Sequence, residues 1–436
     1  LVKRAVNFSG RKQSVFAAKY RSNGKRMLLL PHGEDLKKQR AVFKLLLRPG
    51  ALLSYHSWIE REVSCLLIAL LKGPQNYRTH LYRFTSSLIM RITYGTSRAE
   101  DLDAILTSNE SFNRDALPGA HLVDMFPWLD YFPDFLSPWR RDAKNKHLEE
   151  LKLFQRLASQ VKQRKNDGED SGSFMAQVWD CQSKYELDDE TVAYLGGSSF
   201  EAGTSVTACL LHCFLLACLT HPRVVKTAHE ELDRVLGDDI PQLEHMPKLP
   251  YIYSVVKETL RWMPVTPLAF PHKSEVDDEY KGFKATGTYI IPSIWNMHKD
   301  EDNFKDAHTF NPSRWYNPDM EGNVRPTESL VDGHWTFGYY LLPRIPDIIN
   351  PGRQCPANYL AVEIAWGAIA AILWAFDIKT AVDPLTNSPI EVNPQTIVWL
   401  DGVNVEPATF PVSLCPRSEA HEERIRSQWL TLVSHN

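Results

Sequence analysis

The chain has 436 residues, 43% hydrophobic and 23% charged, and 49 basic against 53 acidic side chains leave a formal net charge of −4. These proportions are those of a globular protein long enough to bury about three quarters of its unfolded surface. They exclude the basic footprint of a nucleic-acid binder and the low hydrophobicity of a disordered chain.

The seven cysteines, at 65, 181, 209, 213, 218, 355 and 415, are odd in number and contain no Cys-x-x-Cys pair. Neither a disulfide framework nor a zinc site has that spacing, so a reducing compartment fits best. The opening residues, Leu1 to Asn7, are amphipathic and unlike a signal peptide.

In chain order, apolar residues at helical spacing predict helices over Asp35–Leu47, Tyr55–Leu71 and Leu148–Val161. Lys165–Ser173 is polar and Gly-containing, hence a surface loop. Asp188 and Asp189 are N-cap candidates for a helix that meets no breaker until Pro222, so that it ends at Thr220. At about 1.5 Å per residue such a helix is roughly 45 Å long and crosses a whole domain. Further helices are expected over Arg223–Val235 and Tyr251–Trp262, the latter ended by Pro264, with a short strand at Thr288–Ile291. Asn311–Arg353 carries six prolines and reads as an irregular meander. Asn358–Ala375 is apolar almost all round and therefore central. The apolar runs Ala208–Leu219 and Ile364–Phe376 hold only 12 and 13 residues, short of the ~18 that span a bilayer, and read as buried helices. Residues 416–436 form a polar, peripheral tail of a single domain, 1–436.

Cys355 directly precedes the last apolar helix, in Pro-Gly-Arg-Gln-Cys-Pro-Ala. Backbone N–H groups at a helix start, with Arg353 nearby, are expected to lower its thiol pKa and suit it to ligate iron. Lys257-Glu258-Thr259-Leu260-Arg261 places Glu258 and Arg261 on one helical face. Phe310-Asn311-Pro312-Ser313-Arg314-Trp315 follows about fifty residues later, and Phe200-Glu201-Ala202-Gly203-Thr204-Ser205-Val206-Thr207 lies inside the long helix.

Phe337-Gly338, Arg353 and Cys355 together resemble the heme-ligand loop Phe-x-x-Gly-x-Arg-x-Cys-x-Gly of the cytochromes P450. The resemblance extends from about Arg40 to Cys415, with five motifs in family order, and in style it is nearest fungal microsomal members. It implies a mainly α fold with a small β region. It implies too that the membrane anchor, hinge and early strands with which family members begin are missing ahead of Leu1.

The implied cofactor is heme b (iron protoporphyrin IX) with Cys355 as axial thiolate, a ligand whose electron donation favours O–O cleavage. Arg40, His272 and Arg353 match the family's propionate-binding positions, Lys37 being a second candidate beside Arg40. Glu258, Arg261 and Arg314 match a buried charge network behind the heme. Ala202, Gly203, Thr204, Ser205 and Thr207 match the oxygen-binding segment, in which Ala202 and Gly203 leave room for dioxygen. Val265, Thr266, Leu268 and Phe270 match a substrate-facing loop, or are plain core.

The implied function is a monooxygenase that inserts one atom of dioxygen into a small apolar substrate. NADPH-cytochrome reductase is the implied electron donor, and the cytosolic face of the endoplasmic reticulum membrane the implied location, reached through the missing anchor. This sequence departs from the family pattern in several places. Phe337 and Cys355 are 18 positions apart where the family has seven, an excess of 11 residues that is either a bulged loop or a segment foreign to the mature protein. Pro351 and Ala357 replace motif glycines, and Leu36 replaces a tryptophan. Ser205 stands for the motif acid and Val206 for the motif threonine, the pair that relays protons to oxygen. A heme-thiolate isomerase or dehydratase, which needs no such relay, or an inactive gene product, is the alternative.

Overall fold

The fold was read from a computed structural model of the full chain. It describes residues 7–434 other than 9, 12, 13, 118, 171, 317–329, 339–352 and 401. The segment between Phe337 and Cys355 in which the extra residues were placed lies almost wholly outside that description.

Helices dominate. The first half carries α1 (Glu34–Leu46), α2 (Pro49–Leu52), α3 (His56–Lys72), α4 (Tyr77–Tyr94), α5 (Ala99–Asp115), α6 (Leu122–Met125), α7 (Pro138–Asn166) and α8 (Phe174–Cys181). Then come α9 (Asp189–Thr220), α10 (Pro222–Val235), α11 (Pro250–Trp262), α12 (Ile294–Lys299), α13 (Asn358–Ala375) and α14 (Glu419–Ser434). The sequence-predicted helices fall within a few residues of these bounds, except that Leu148–Val161 is only the interior of α7. Pro222 ends α9 and also serves as the first residue of α10, where its missing N–H costs nothing. Sequence periodicity did not reveal α4, α5 or α8, or the first ten residues of α7.

The strands are short. β1 (Gly10–Arg11), β2 (His272–Lys273) and β5 (Tyr289–Ile290) form one antiparallel sheet in which Arg11 faces His272 and His272 faces Ile290. The pairs β3 (Glu279–Tyr280) with β4 (Phe283–Lys284), β6 (Phe376–Thr380) with β9 (Val412–Pro416), and β7 (Trp399–Leu400) with β8 (Glu406–Pro407) complete the small β region.

The core is assembled around α9 and α13. Asp188 caps α9, its carboxylate accepting from the Thr191 N–H at 2.6 Å. Both helices are long and apolar enough to cross a membrane, yet 72% and 83% of their most apolar windows are buried, as in the core helices of a globular fold. α4, α7, α11 and α13 pack against α9. The segment after Cys415, expected to be peripheral, is mostly helix: α14 lies against α3 with Ile425 buried, His421 packs at a tilt on Trp374 and Gln428 donates to Ser64 Oγ, while its other face is exposed.

Candidate functional site

Cys355 stands three residues before α13, and two strands of chain meet at it. Its N–H donates to the Phe337 carbonyl at 2.8 Å, so Phe337 and Cys355 are direct neighbours although 18 positions separate them. Gly338 makes that approach possible. It holds φ at +92°, and a β-carbon there would sit 3.2 Å from the Arg353 carbonyl oxygen and the Gln354 Cα. Thr336 Oγ1 donates to the Leu260 carbonyl, which ties this end of the meander to α11. The motif's two ends therefore meet in space whatever the intervening residues do.

The expected lowering of the Cys355 thiol pKa is corrected by the structure. Burial pushes the thiol up, and the Ala357 N–H and the Arg40 charge offset only part of that rise. Burial disfavours the charged thiolate.

Cations surround the loop. Arg40 on α1 donates to the Gln354 carbonyl at 2.9 Å, and Arg353 to the Leu30 carbonyl at 2.8 Å. Arg11 donates to the Phe270 and Pro271 carbonyls. His272, buried in β2, is pushed down to about 3, first by burial and then by Arg11 and Arg353. Burial, helped by the two guanidinium groups, keeps this imidazole neutral, and the arginines make the surroundings positive, fit for a ligand carrying carboxylates. Lys37 is not part of it, since it turns to the surface and pairs with Glu34 at 2.7 Å.

Glu258, Arg261 and Arg314 are brought together. Arg261 donates to both Glu258 oxygens (2.8 and 2.7 Å) and Arg314 Nε to one of them at 3.0 Å. Arg261 also donates to the carbonyls of His298 and Ala307, both at 2.8 Å, and Trp315 Nε1 donates to Glu258 at 2.8 Å. Glu258 and Arg261 have no exposed side-chain surface. Sequence spacing did not single out Trp315 or His298 for this network.

The long helix opens at its middle. Residues 191–197 and 207–218 of α9 are buried, whereas Ala202 is exposed and Gly203, Ser205 and Val206 are half-buried. An accessible stretch inside an otherwise buried helix borders open space, which is where a flat macrocycle needs a wall of small residues. Gly203 does not contribute that space. A β-carbon on it would lie 2.8 Å from Ile89 Cδ1, so this glycine lets α4 approach α9. Thr204 is buried, with its hydroxyl on the Phe200 carbonyl, Thr207 is buried too, and Ser205 Oγ accepts from Asn404 Nδ2 at 2.8 Å.

The residues matched to a substrate loop do not share one face. Val265 is buried, with its carbonyl accepting from the Val405 N–H, Leu268 is 56% exposed, and Thr266 and Phe270 are half-buried. Sequence reasoning missed Arg11, Asn404 and Arg26, which come from distant parts of the chain to meet His272, Ser205 and Glu201 respectively.

The residues fit a heme: a sulfur at a helix start, arginines and a neutral histidine beside it, and a small-residue opening on the crossing helix. A family model described as "Cytochrome P450" matches residues 1–338 of the chain, its match ending at Gly338. Curated relatives extend past that point. Cytochrome P450 monooxygenase fogE of Aspergillus ruber is 31% identical over 98% of this chain and 78% of its own length. Cytochrome P450 monooxygenase virE of Hypocrea virens is 32% identical over 98% of this chain and 77% of its own. A cytochrome P450 monooxygenase of Armillaria gallica is 29% identical over 100% and 82%.

Proposed function

The chain belongs to the cytochrome P450 family and is an oxygen-incorporating oxidoreductase; on that premise we propose that Cys355 is its heme ligand and that its substrate is a small apolar molecule. The observation that carries this reading is the meeting of Phe337 and Cys355 at the start of α13, with Arg40 and Arg353 beside the sulfur.

The family's heme supplies activation of dioxygen once its iron is held by a thiolate. The chain's own residues prepare for it. Cys355 would hold the iron of a bound heme as its thiolate, a form that requires the thiol, raised by burial, to give up its proton. Arg40 and Arg353 would neutralise the propionates of a heme b, and His272, held neutral, would add a hydrogen bond without charge. Ala202, Ser205 and Val206, the accessible residues in the middle of α9, line the oxygen side. Thr266 and Phe270, half-buried after α11, are the substrate-facing part of their loop, with Val265 as core behind them.

Electrons come from a redox partner, which we take to be NADPH-cytochrome reductase. We place the protein at the cytosolic face of the endoplasmic reticulum membrane. An exposed apolar patch between α6 and α7 supports a membrane-facing side, with Leu122, Met125 and Trp128 each more than half exposed and Tyr131 and Phe135 at 90% and 82%.

The deciding experiment is the ferrous–carbon monoxide difference spectrum of the expressed chain. The thiolate-type Soret band is expected in the native protein and absent in Cys355→Ser, with helical content unchanged by circular dichroism. A native spectrum identical to that of Cys355→Ser refutes the assignment.

A further inference from the structure

The position that should carry the proton-relaying acid holds Ser205, and the next holds Val206, which has no proton to give. One helical turn earlier, on the same face of α9, stands Glu201.

Its surroundings are unlike those of an ordinary surface carboxylate. Glu201 Oε2 is paired with Arg26 Nη1, whereas Oε1 is buried and accepts no hydrogen bond among the described residues. Ser198, three residues before it, likewise has a buried Oγ with no partner among the described residues. Ser198, Glu201 and Ser205 thus form one polar stripe that runs into the accessible middle of the helix. Buried polar atoms of this kind are normally satisfied by ordered water.

Arg26 cannot swing away. It is 1% exposed, donates to Glu150 at 2.6 Å and to Ser22 Oγ at 3.1 Å, and lies 3.5 Å over the Phe112 ring. Glu150 in turn accepts from Arg21 at 3.0 Å and from the Tyr194 hydroxyl at 3.0 Å. One oxygen of Glu201 is therefore fixed, and the other, buried and without a partner among the described residues, is left for ordered water. Burial raises the Glu201 pKa, Arg26 lowers it and the Glu150 charge raises it, with a net rise.

We infer that Glu201 is the acid that hands protons to the oxygen side of the heme in this chain, with Arg26 as its positioning residue. The inference rests on the monooxygenase reading above. Incorporating one oxygen atom and releasing the other as water consumes two protons and two electrons, the electrons coming from the redox partner. For each proton, the O–H bond at Glu201 Oε1 breaks, the proton passes through water along the Ser198–Ser205 stripe, and the resulting carboxylate stays paired with Arg26. Bulk water reprotonates it. Glu201→Gln keeps size and a hydrogen bond to Arg26 but cannot act as an acid.

The test uses the full chain with Glu201→Gln, Glu201→Asp and, as a surface control, Glu149→Gln. Infrared spectra at neutral pH, with and without heme, are expected to show a carboxylic-acid C=O band that Glu201→Gln removes and Glu149→Gln leaves. In the heme-loaded protein, reduced and mixed with oxygenated buffer, oxygen consumption should slow at least about tenfold in Glu201→Gln, within the usual range for losing a general acid. The hydrogen peroxide share of the oxygen consumed should rise, the D2O effect should grow, and Glu201→Asp should restore part of the rate. Absence of the infrared band overturns the inference with or without heme, as does an unchanged rate in Glu201→Gln. A native chain that shows the band but never a thiolate-type carbon monoxide spectrum overturns the monooxygenase reading, and the inference with it.

Discussion

Replacing Glu258 by glutamine tests the network behind the heme most directly. The carboxylate accepts five hydrogen bonds, from Arg261 Nε and Nη2, Arg314 Nε, Trp315 Nε1 and the Asn311 N–H, all between 2.7 and 3.0 Å. Glutamine keeps the size but withdraws the charge and offers an NH2 group where cations point. Arg261, wholly buried, would keep its carbonyl partners and lose its counter-charge. Breaking one side of a buried pair costs about 3–5 kcal/mol, a large share of the roughly 5–15 kcal/mol that keeps a domain folded. With an unfolding entropy near 2 cal/mol/K per residue, a chain of this length should lose about 1 °C of melting temperature per kcal/mol, hence roughly 3–5 °C. Thermal and urea unfolding followed by circular dichroism, at matched heme loading, measures it. Arg314→Lys gauges the partly exposed partner and should cost no more than about 1 kcal/mol. If Glu258→Gln is no worse than Arg314→Lys, the reasoning fails.

His298 and His334 are pushed down to about 3 and about 4 by burial first, and then by His334 and Arg261 for the one and by Lys257 and Arg261 for the other. Both are neutral when folded and protonate near 6.5 when unfolded. Their contribution is thus whole above pH 6.5 and lost as pH falls toward 4, at about 1.4 kcal/mol per pH unit for each. Urea midpoints from pH 7 to 5 should show the slope, and His298→Gln should flatten it; a flat native profile would contradict the burial argument. Gly338→Ala should cost about 1–2 kcal/mol for its left-handed backbone and loosen the Phe337–Cys355 junction, read as weaker heme retention in a competition with apomyoglobin. Arg353→Leu should lower heme affinity at least about tenfold, whereas native affinity should show no titration step from His272 between pH 6 and 8. Such a step would mean that the imidazole carries charge. Ser205→Asp with Val206→Thr should raise product formed per reducing equivalent; unchanged coupling would count against a proton-supply defect at those positions.

The sequence by itself determined the elements whose signals are local. The capped start of α9 at Asp188, its stop at Pro222, the all-round apolar α13 and the three-residue spacing of Glu258 and Arg261 depend only on neighbours along the chain. α4 and α5 escaped because their buried faces mix apolar with polar residues, such as Ser86 and Thr93 in α4 and Asp101 in α5, and tertiary packing defines those faces; α8, with 8 residues, is too short to show a clear period. The thiol pKa was misjudged for the same reason. A helix start and an arginine can be read from four residues, but the burial that outweighs them is made by the whole core. Tertiary structure alone joined Phe337 to Cys355, filled the notch at Gly203 with Ile89, and brought Arg26 to Glu201 across 175 positions. Contacts between residues so far apart depend on how helices pack, and no pattern along the chain encodes that packing.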